Sequence, residues 1–341
     1  MKKFGIFLFV ALLASPIWLR AQGDLDELLK GSTGDAKTIA NGYISPFMRA
    51  FGYGLNQGWY NTAKPHKFPG ADLTITVTPV YIPDTDKLFE VDNNKLTSID
   101  LTSTGPGGGP ITNGKGKVPT FFGPDREPTY QLNTVGNPTF NGPPGVDFNF
   151  LPVPMAGLGI GLPKGFDLKF RFIPKIDLGN ATNGDVDGEF SLFGVGLMHD
   201  VKQYIPGMKN LPFDLSGFVG YTKMKLDVGF DSSFPDQRGL FESSATTIQG
   251  VISKKLSVLT VYGGLGYNLA KTTLAVKGTY DFDQNSANGR ETKDPFTLDV
   301  NSNGPRATAG LRLKLAVFAF HADYTLQKYN ALSVGFGINV R

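Results

Sequence analysis

The sequence predicts an all-β fold: a transmembrane antiparallel β-barrel of about 12–14 strands, preceded by a short N-terminal helical plug segment. Three observations carry that expectation. An apolar leader opens the chain, and apolar and polar residues alternate with period two through its second half. The composition also combines 43 Gly and 12% aromatics with only 18% charged residues, against roughly 25% in soluble domains. A lipid-facing sheet with Gly-rich turns has this balance, and its lumen-facing half keeps the mean hydropathy near zero.

Residues 1–21 read as a secretory signal. Lys2 and Lys3 form the basic start, an apolar stretch follows over 4–17, and Ala21 is the small residue before cleavage at Gln22. Ser15 and Pro16 interrupt the stretch, which is shorter than the roughly 20 apolar residues of a spanning helix. With no Cys in the chain, disulfide scaffolds, thiol-linked lipid and Cys-ligated metals are excluded. The net charge of +3 is dispersed and gives nucleic acid no electrostatic footing.

Residues 22–66 form the plug-like segment. Asp24, Asp26 and Glu27 precede or flank Leu25, Leu28 and Leu29, as at a helix start. A second helix is expected over 35–55, with Ile39, Tyr43, Phe47, Ala50 and Phe51 at helical spacing and Pro46 kinking or splitting it. The apolar faces need cover, which a barrel lumen supplies. The competing reading is a periplasmic surface helix without function.

The barrel is expected over 67–341. Leu73, Ile75 and Val77 alternate with Thr74, Thr76 and Thr78 as its first strand. Residues 93–146 then carry breakers too dense for ladders, such as Gly105-Pro106-Gly107-Gly108-Gly109-Pro110, and predict one long irregular loop on a rim. Further on, Asp167, Lys169, Arg171 and Lys175 oppose Leu168, Phe170, Phe172 and Ile176. Lys223, Lys225 and Asp227 oppose Met224, Leu226, Val228 and Phe230. Arg306, Arg312 and Lys314 oppose Leu311, Leu313 and Leu315; His321, Asp323 and Thr325 oppose Phe318, Phe320 and Tyr324. The run from 329 to 341 is a final amphipathic strand of the kind recognised by the machinery that assembles barrels, although it ends in Arg rather than an aromatic residue. Turns are expected at 268–271 and 314–316, and longer loops at 231–240 and 284–295. A helical turn is expected near 201–206.

Placing the charged faces inward makes Arg171, Lys223, Lys225, Arg306, Arg312, His321 and Asp323 lumen residues. They either favour anionic solutes or pair with acids such as Asp167, Asp227, Asp281 and Asp323. The plug aromatics Tyr43, Phe47, Phe51, Trp59 and Tyr60 either line an amphiphile pocket or pack against the wall. His321 and Asp323 share a face and could meet as an acid–imidazole pair, though no Gly-x-Ser-x-Gly elbow accompanies them. His199-Asp200 suits a turn or cap. No enzyme activity, cofactor or metal is expected.

Over 43–46 (Tyr-Ile-Ser-Pro), 52–66 (Gly-Tyr-Gly-Leu-Asn-Gln-Gly-Trp-Tyr-Asn-Thr-Ala-Lys-Pro-His) and the Met198-His199-Asp200 to Ile205-Pro206 stretch, the chain resembles an uncharacterised family of Bacteroidetes outer-membrane proteins. Its plan of a helical segment before a mid-sized barrel more distantly resembles the long-chain fatty-acid outer-membrane transporters. That second resemblance implies a plugged barrel carrying hydrophobic substrate and assigns no ligand residue. The expected location is therefore the outer membrane of a Gram-negative cell, with outer-membrane lipid and a hydrophobic small molecule as partners. The expected function is passive transport of hydrophobic or amphiphilic small molecules; the alternative is a non-transporting surface barrel whose long loop binds an external partner or polymer.

Overall fold

A computed structural model of the chain describes residues 32–179, 187–231, 234–281 and 291–340. The signal segment and the first expected helix lie outside these residues. Helix α1 runs over Thr33–Leu55, followed by β1 (Ala71–Tyr81). The short strands β2 (Leu88–Asp92), β3 (Ile99–Ser103), β4 (Lys115–Pro119), β5 (Thr129–Leu132) and β6 (Thr139–Asn141) come next. Then follow β7 (Phe150–Leu162), β8 (Phe166–Asp177), β9 (Gly188–Asp200), β10 (Asp214–Asp231), β11 (Phe234–Leu256) and β12 (Leu259–Lys277). The remainder are β13 (Thr279–Asp281), β14 (Glu291–Lys293), β15 (Phe296–Asn301), β16 (Gly304–Leu315), β17 (Phe318–Leu326) and β18 (Ala331–Val340).

Strands β1, β7–β12 and β16–β18 close into an antiparallel ring of ten, with β18 returning to β1 and β15 pairing the upper part of β12 above β16. The number is even, as expected, but below the predicted 12–14. The reason is strand length. Strands β10, β11 and β12 contain 18, 23 and 19 residues, well beyond the roughly 10 that a tilted strand needs to cross a bilayer. The turn expected at 268–271 lies inside β12, and most of the loop expected at 231–240 lies inside β11. The expected loop over 284–295 falls largely outside the described residues.

Alternation sets the wall. On β1, Leu73, Ile75 and Val77 point outward at 52%, 56% and 41% exposure, while Thr74, Thr76 and Thr78 are buried inside. The outward faces of β16, β17 and β18 are likewise apolar and their inward faces polar. Together these side chains form a contiguous apolar band, far more than the few hundred Å² that a water-soluble surface normally exposes. Where β10 and β12 leave the band, Tyr221 and Tyr267 point outward, as interfacial aromatics do. One edge of the ring holds Ala71, Val340 and tight turns at 163–165, 257–258 and 316–317. The opposite edge holds the longest connection, between β1 and β7. These are called the lower and upper rims.

The expected irregular loop is a folded cap on the upper rim. Strands β2 and β4 pair, as do β3, β5 and β6, and Ile99, Leu101, Val118, Phe122, Tyr130 and Leu132 are buried. Breakers therefore do not prevent ladders here; they limit them to three to five residues, and left-handed Gly105, Gly107 and Gly114 make the turns between.

One stretch of wall is unpaired. Strand β7 pairs with β1 from Tyr81↔Phe150 to Ala71↔Ile160, yet with β8 only between Leu158↔Phe170 and Leu162↔Phe166. Above that point Pro152 and Pro154 on β7 and Pro174 on β8 have no N–H to donate, so a ladder there would be incomplete.

Candidate functional site, the plugged lumen

Helix α1 lies inside the barrel, packed against β1, β7, β11, β12 and β15. Ser32 caps it by accepting from the Asp35 N–H at 3.0 Å. The Asp35 carboxylate in turn accepts from the backbone N–H groups of Thr97 (2.9 Å) and Ser98 (2.7 Å) and from the Ser98 hydroxyl. Burial works against its charge, but these donors outweigh it and hold the carboxyl below its ordinary range. The start of the helix is thereby tied to the cap. The helix runs as one element through Pro46, so of the two expected outcomes, a kink or a split, the split does not occur.

Below the cap the packing is aromatic. Phe47 meets Phe121 at 5.2 Å and Phe241 at 5.8 Å between ring centroids, and Phe51 meets Phe241 at 5.3 Å. Tyr43 stands edge-on to Phe121 and donates its hydroxyl to the Pro144 carbonyl. Met224 and Leu226 also face inward here. Lys223 and Lys225, expected in the lumen, are exposed on the outer surface, Lys225 beside Glu242 at 3.9 Å. The alternation is real but its sign is reversed: above the band the lumen is apolar because α1 fills it, and the exterior is water. Lys175 is exposed too, paired with Glu189 at 2.7 Å.

At mid-height two buried arginines hold the end of the helix. Arg171 donates to the carbonyls of Leu55 (2.8 Å) and Gln57, and its guanidinium lies 3.7 Å from the centroid of the Trp59 ring. Arg306 donates to the Asn56 carbonyl (2.9 Å) and to Gln57 Oε1 (2.7 Å), as well as to Thr308 and Thr325. A helix end leaves carbonyls without intrahelical donors, and its dipole favours positive charge there. Arg171 and Arg306 supply both needs.

From Asn56 the chain descends as an extended strap. Trp59 and Tyr60 pack on Phe218 at 5.6 and 5.7 Å, and Tyr60 also meets Tyr262. Glycine makes this fit: a Cβ at Gly220 would stand 2.8 Å from the Trp59 ring, and one at Gly264 would stand 2.4 Å from the Tyr60 hydroxyl. Tyr60 donates to Gln249, Ser216 donates to the Ala63 carbonyl, and the Ala63 N–H donates to Ser253. At the lower rim His66 Nδ1 lies 2.8 Å from Asp167, with Asp72, Lys169 and Asn339 close by. Arg312 donates to Asn339.

The plug aromatics thus do not line a common pocket. Tyr43, Phe47 and Phe51 belong to the upper packing, Trp59 and Tyr60 to the lower. A lumen cavity, with about 460 Å³ of non-atom space counting its solvent mouth, lies between the strap, Asp72, Asp167, Lys169 and His321. His321 and Asp323 both face inward, but His321 bonds Thr76 at 3.3 Å and Asp323 accepts from Tyr262 at 2.8 Å. His199 stacks on Phe166, and Asp200 accepts from the Lys202 N–H at the start of a 3-10 turn over Lys202–Tyr204, the expected turn role. Among the described residues no group of three or more His, Asp or Glu is placed to share a metal ion. Sequence reading did not find the roles of Gln57, His66, Gln249 and Tyr262, because their partners lie far away along the chain.

Over residues 1–340 the chain matches a family of unknown function, DUF6588, and it belongs to that family. No curated protein matches it. Among solved structures it is similar to the attachment invasion locus protein Ail of Yersinia pestis, at 8% identity and TM-score 0.29, covering 80% of this chain and 98% of that one. It is also similar to the translocator domain of the autotransporter NalP from Neisseria meningitidis, at 12% identity and TM-score 0.29, covering 86% and 93%. A third is the Ralstonia pickettii toluene transporter TbuX, at 10% identity and TM-score 0.24, covering 80% and 89%. At TM-scores this low the likenesses carry no functional argument.

Proposed function

We propose that the protein is a Gram-negative outer-membrane barrel that passes hydrophobic or amphiphilic small molecules without a cofactor, with the unpaired β7–β8 seam as the route between lumen and bilayer. The seam is the observation that carries this reading. Its outer lip holds Ala156, Leu158 and Phe172, the last 68% exposed within the apolar band. Behind it Val153 rests against Gly54 of α1, where a Cβ would come within 2.5 Å. A hydrophobic molecule leaving above Arg171 by this route avoids the polar lower lumen, where desolvation of charged groups would oppose it. Partners in this reading are outer-membrane lipid, the ligand and the barrel-assembly machinery. The polar lumen residues hold the plug, and no reaction is catalysed. Fatty acids and their analogues are the substrate class that the distant family resemblance favours.

The native chain has no cysteine, so a seam disulfide can be tested cleanly. Just above the last pair, Leu158↔Phe170, Ala156→Cys and Phe172→Cys put one thiol on each lip of the seam. Oxidation should abolish uptake of a labelled fatty acid by expressing cells, and reduction should restore it. Uptake that persists with the crosslink formed sinks the seam as the route. A second reading, a non-transporting barrel whose cap binds an external partner, is favoured by the compact folding of residues 93–146. Deleting the tip around the fully exposed Val135 discriminates: lost adhesion with uptake intact would make binding the main role.

A further inference from the structure

We infer that the chain threads its own barrel from outside to inside, so that the amino end of α1 stands on the extracellular face with the cap while the strap leaves at the periplasmic face. Three observations place the two ends. Asp35 bonds Thr97 and Ser98 in the cap, and the Tyr43 carbonyl accepts from the Phe121 N–H, so the start of the helix belongs to the upper rim. At the other end His66 bonds Asp167, one residue into β8, and the Gly70 carbonyl accepts from the Gly161 N–H. Finally, β1 begins at the lower rim, where Ala71 pairs with Val340.

The rims can then be assigned to sides of the membrane. Three of the four lower-rim connections are tight turns, whereas the β1–β7 connection carries the whole cap, and β10, β11 and β12 project above the band on that same side. Barrels of this class have short periplasmic turns and longer extracellular loops. The upper rim is therefore outside.

This orientation changes what can act on the plug. Its helical end is fastened by cap residues and can be reached from outside the cell. Among the described plug residues, the periplasm meets the strap near Lys64, Lys67 and Phe68, which are exposed at the lower rim. The arginine clamp lies between, so a pull on the strap meets the hydrogen bonds of Arg171 and Arg306 before it reaches α1. An extracellular ligand that displaces the cap would act on the helix directly.

The inference rests on the outer-membrane part of the proposed function and not on transport. Single-cysteine variants of the full chain test it: Thr33→Cys and Lys37→Cys at the helix start, Val135→Cys at the cap and Lys67→Cys on the strap, all at exposed positions. Intact cells are treated with a membrane-impermeant maleimide and compared with cells whose outer membrane has been permeabilised. Labelling of Thr33→Cys, Lys37→Cys and Val135→Cys in intact cells, with Lys67→Cys labelled at least tenfold more after permeabilisation, is the expected result. Labelling of Lys67→Cys alone in intact cells would invert the orientation. Labelling of Val135→Cys without either helix position would place the helix start away from the surface and also overturn the inference. A protein absent from the outer-membrane fraction would instead remove the premise, and fractionation of the same cells distinguishes that case.

Discussion

The upper and lower halves of the lumen are filled by one continuous segment of chain in two opposite ways. Above, the middle of α1 is held by rings, Phe47 and Phe51 against Phe121, Phe122 and Phe241, with charged contacts, Asp35 to the cap and Arg49 to Asp86, at its margins. Below, the strap is held by Arg171, Arg306, Gln249, Ser216, Ser253 and the His66–Asp167 pair. Apolar packing is insensitive to small displacements of hydrogen-bonding groups and excludes water. The hydrogen-bonded half has exact donor and acceptor positions, and each broken bond leaves a buried polar group exposed to its full desolvation cost. The comparison teaches that helix and strap have different jobs: the helix seals, and the strap registers the seal against the wall.

Substitutions can break that comparison. The largest effect is expected from Phe241→Ala, which removes the ring shared by Phe47 and Phe51. The loss should be about 4 kcal/mol, read as a lower temperature for the heat-dependent gel shift and unchanged by salt. A loss under about 1 kcal/mol would show that the upper half is loosely packed. Arg306→Met should cost less, about 2 kcal/mol, because it leaves the Asn56 carbonyl without its donor and Gln57 Oε1 with the Thr325 hydroxyl alone. Its signature should differ in kind: brief openings in planar-bilayer conductance that the native barrel lacks. Silence in that recording would mean that the aromatic half seals alone.

The smallest effect sharpens the boundary between helix and cap. Asp35 has a folded-state pKa below its ordinary 3.8, so its contribution is present above that value and lost as pH falls through the lowered one. Amide exchange at Thr97 and Ser98, taken relative to its intrinsic rate at each pH, should therefore accelerate in acid. In Asp35→Asn it should be faster by a factor corresponding to about 1 kcal/mol at neutral pH and lose its dependence on acid. Equal exchange in both proteins would show that the cap is held by Phe121 and Phe122 instead.

Much of the wall was legible beforehand. Leu73, Ile75 and Val77, then Phe318 to Leu326, point where their alternation says, since neighbouring side chains on a strand must take opposite faces. Arg171, Arg306, Arg312, His321 and Asp323 are buried on the inward faces of their strands for the same reason. Their partners were not legible: Arg171 reaches across the barrel to Leu55 and Gln57, and Arg306 to Asn56. The short cap strands were hidden by their own brevity, because three to five residues between glycines carry too little periodicity to count.

What the sequence alone determined, then, is local: the class of fold, the two faces of each strand within the band, and a plug segment whose apolar positions needed cover. The tertiary structure decided the rest. It set ten strands instead of 12–14, because β10, β11 and β12 continue past the band with nothing in their alternation to mark where lipid ends. It also turned Lys223 and Lys225 outward. Alternation separates two faces but does not say which is wet; that depends on what fills the lumen, and here the chain fills it with its own helix.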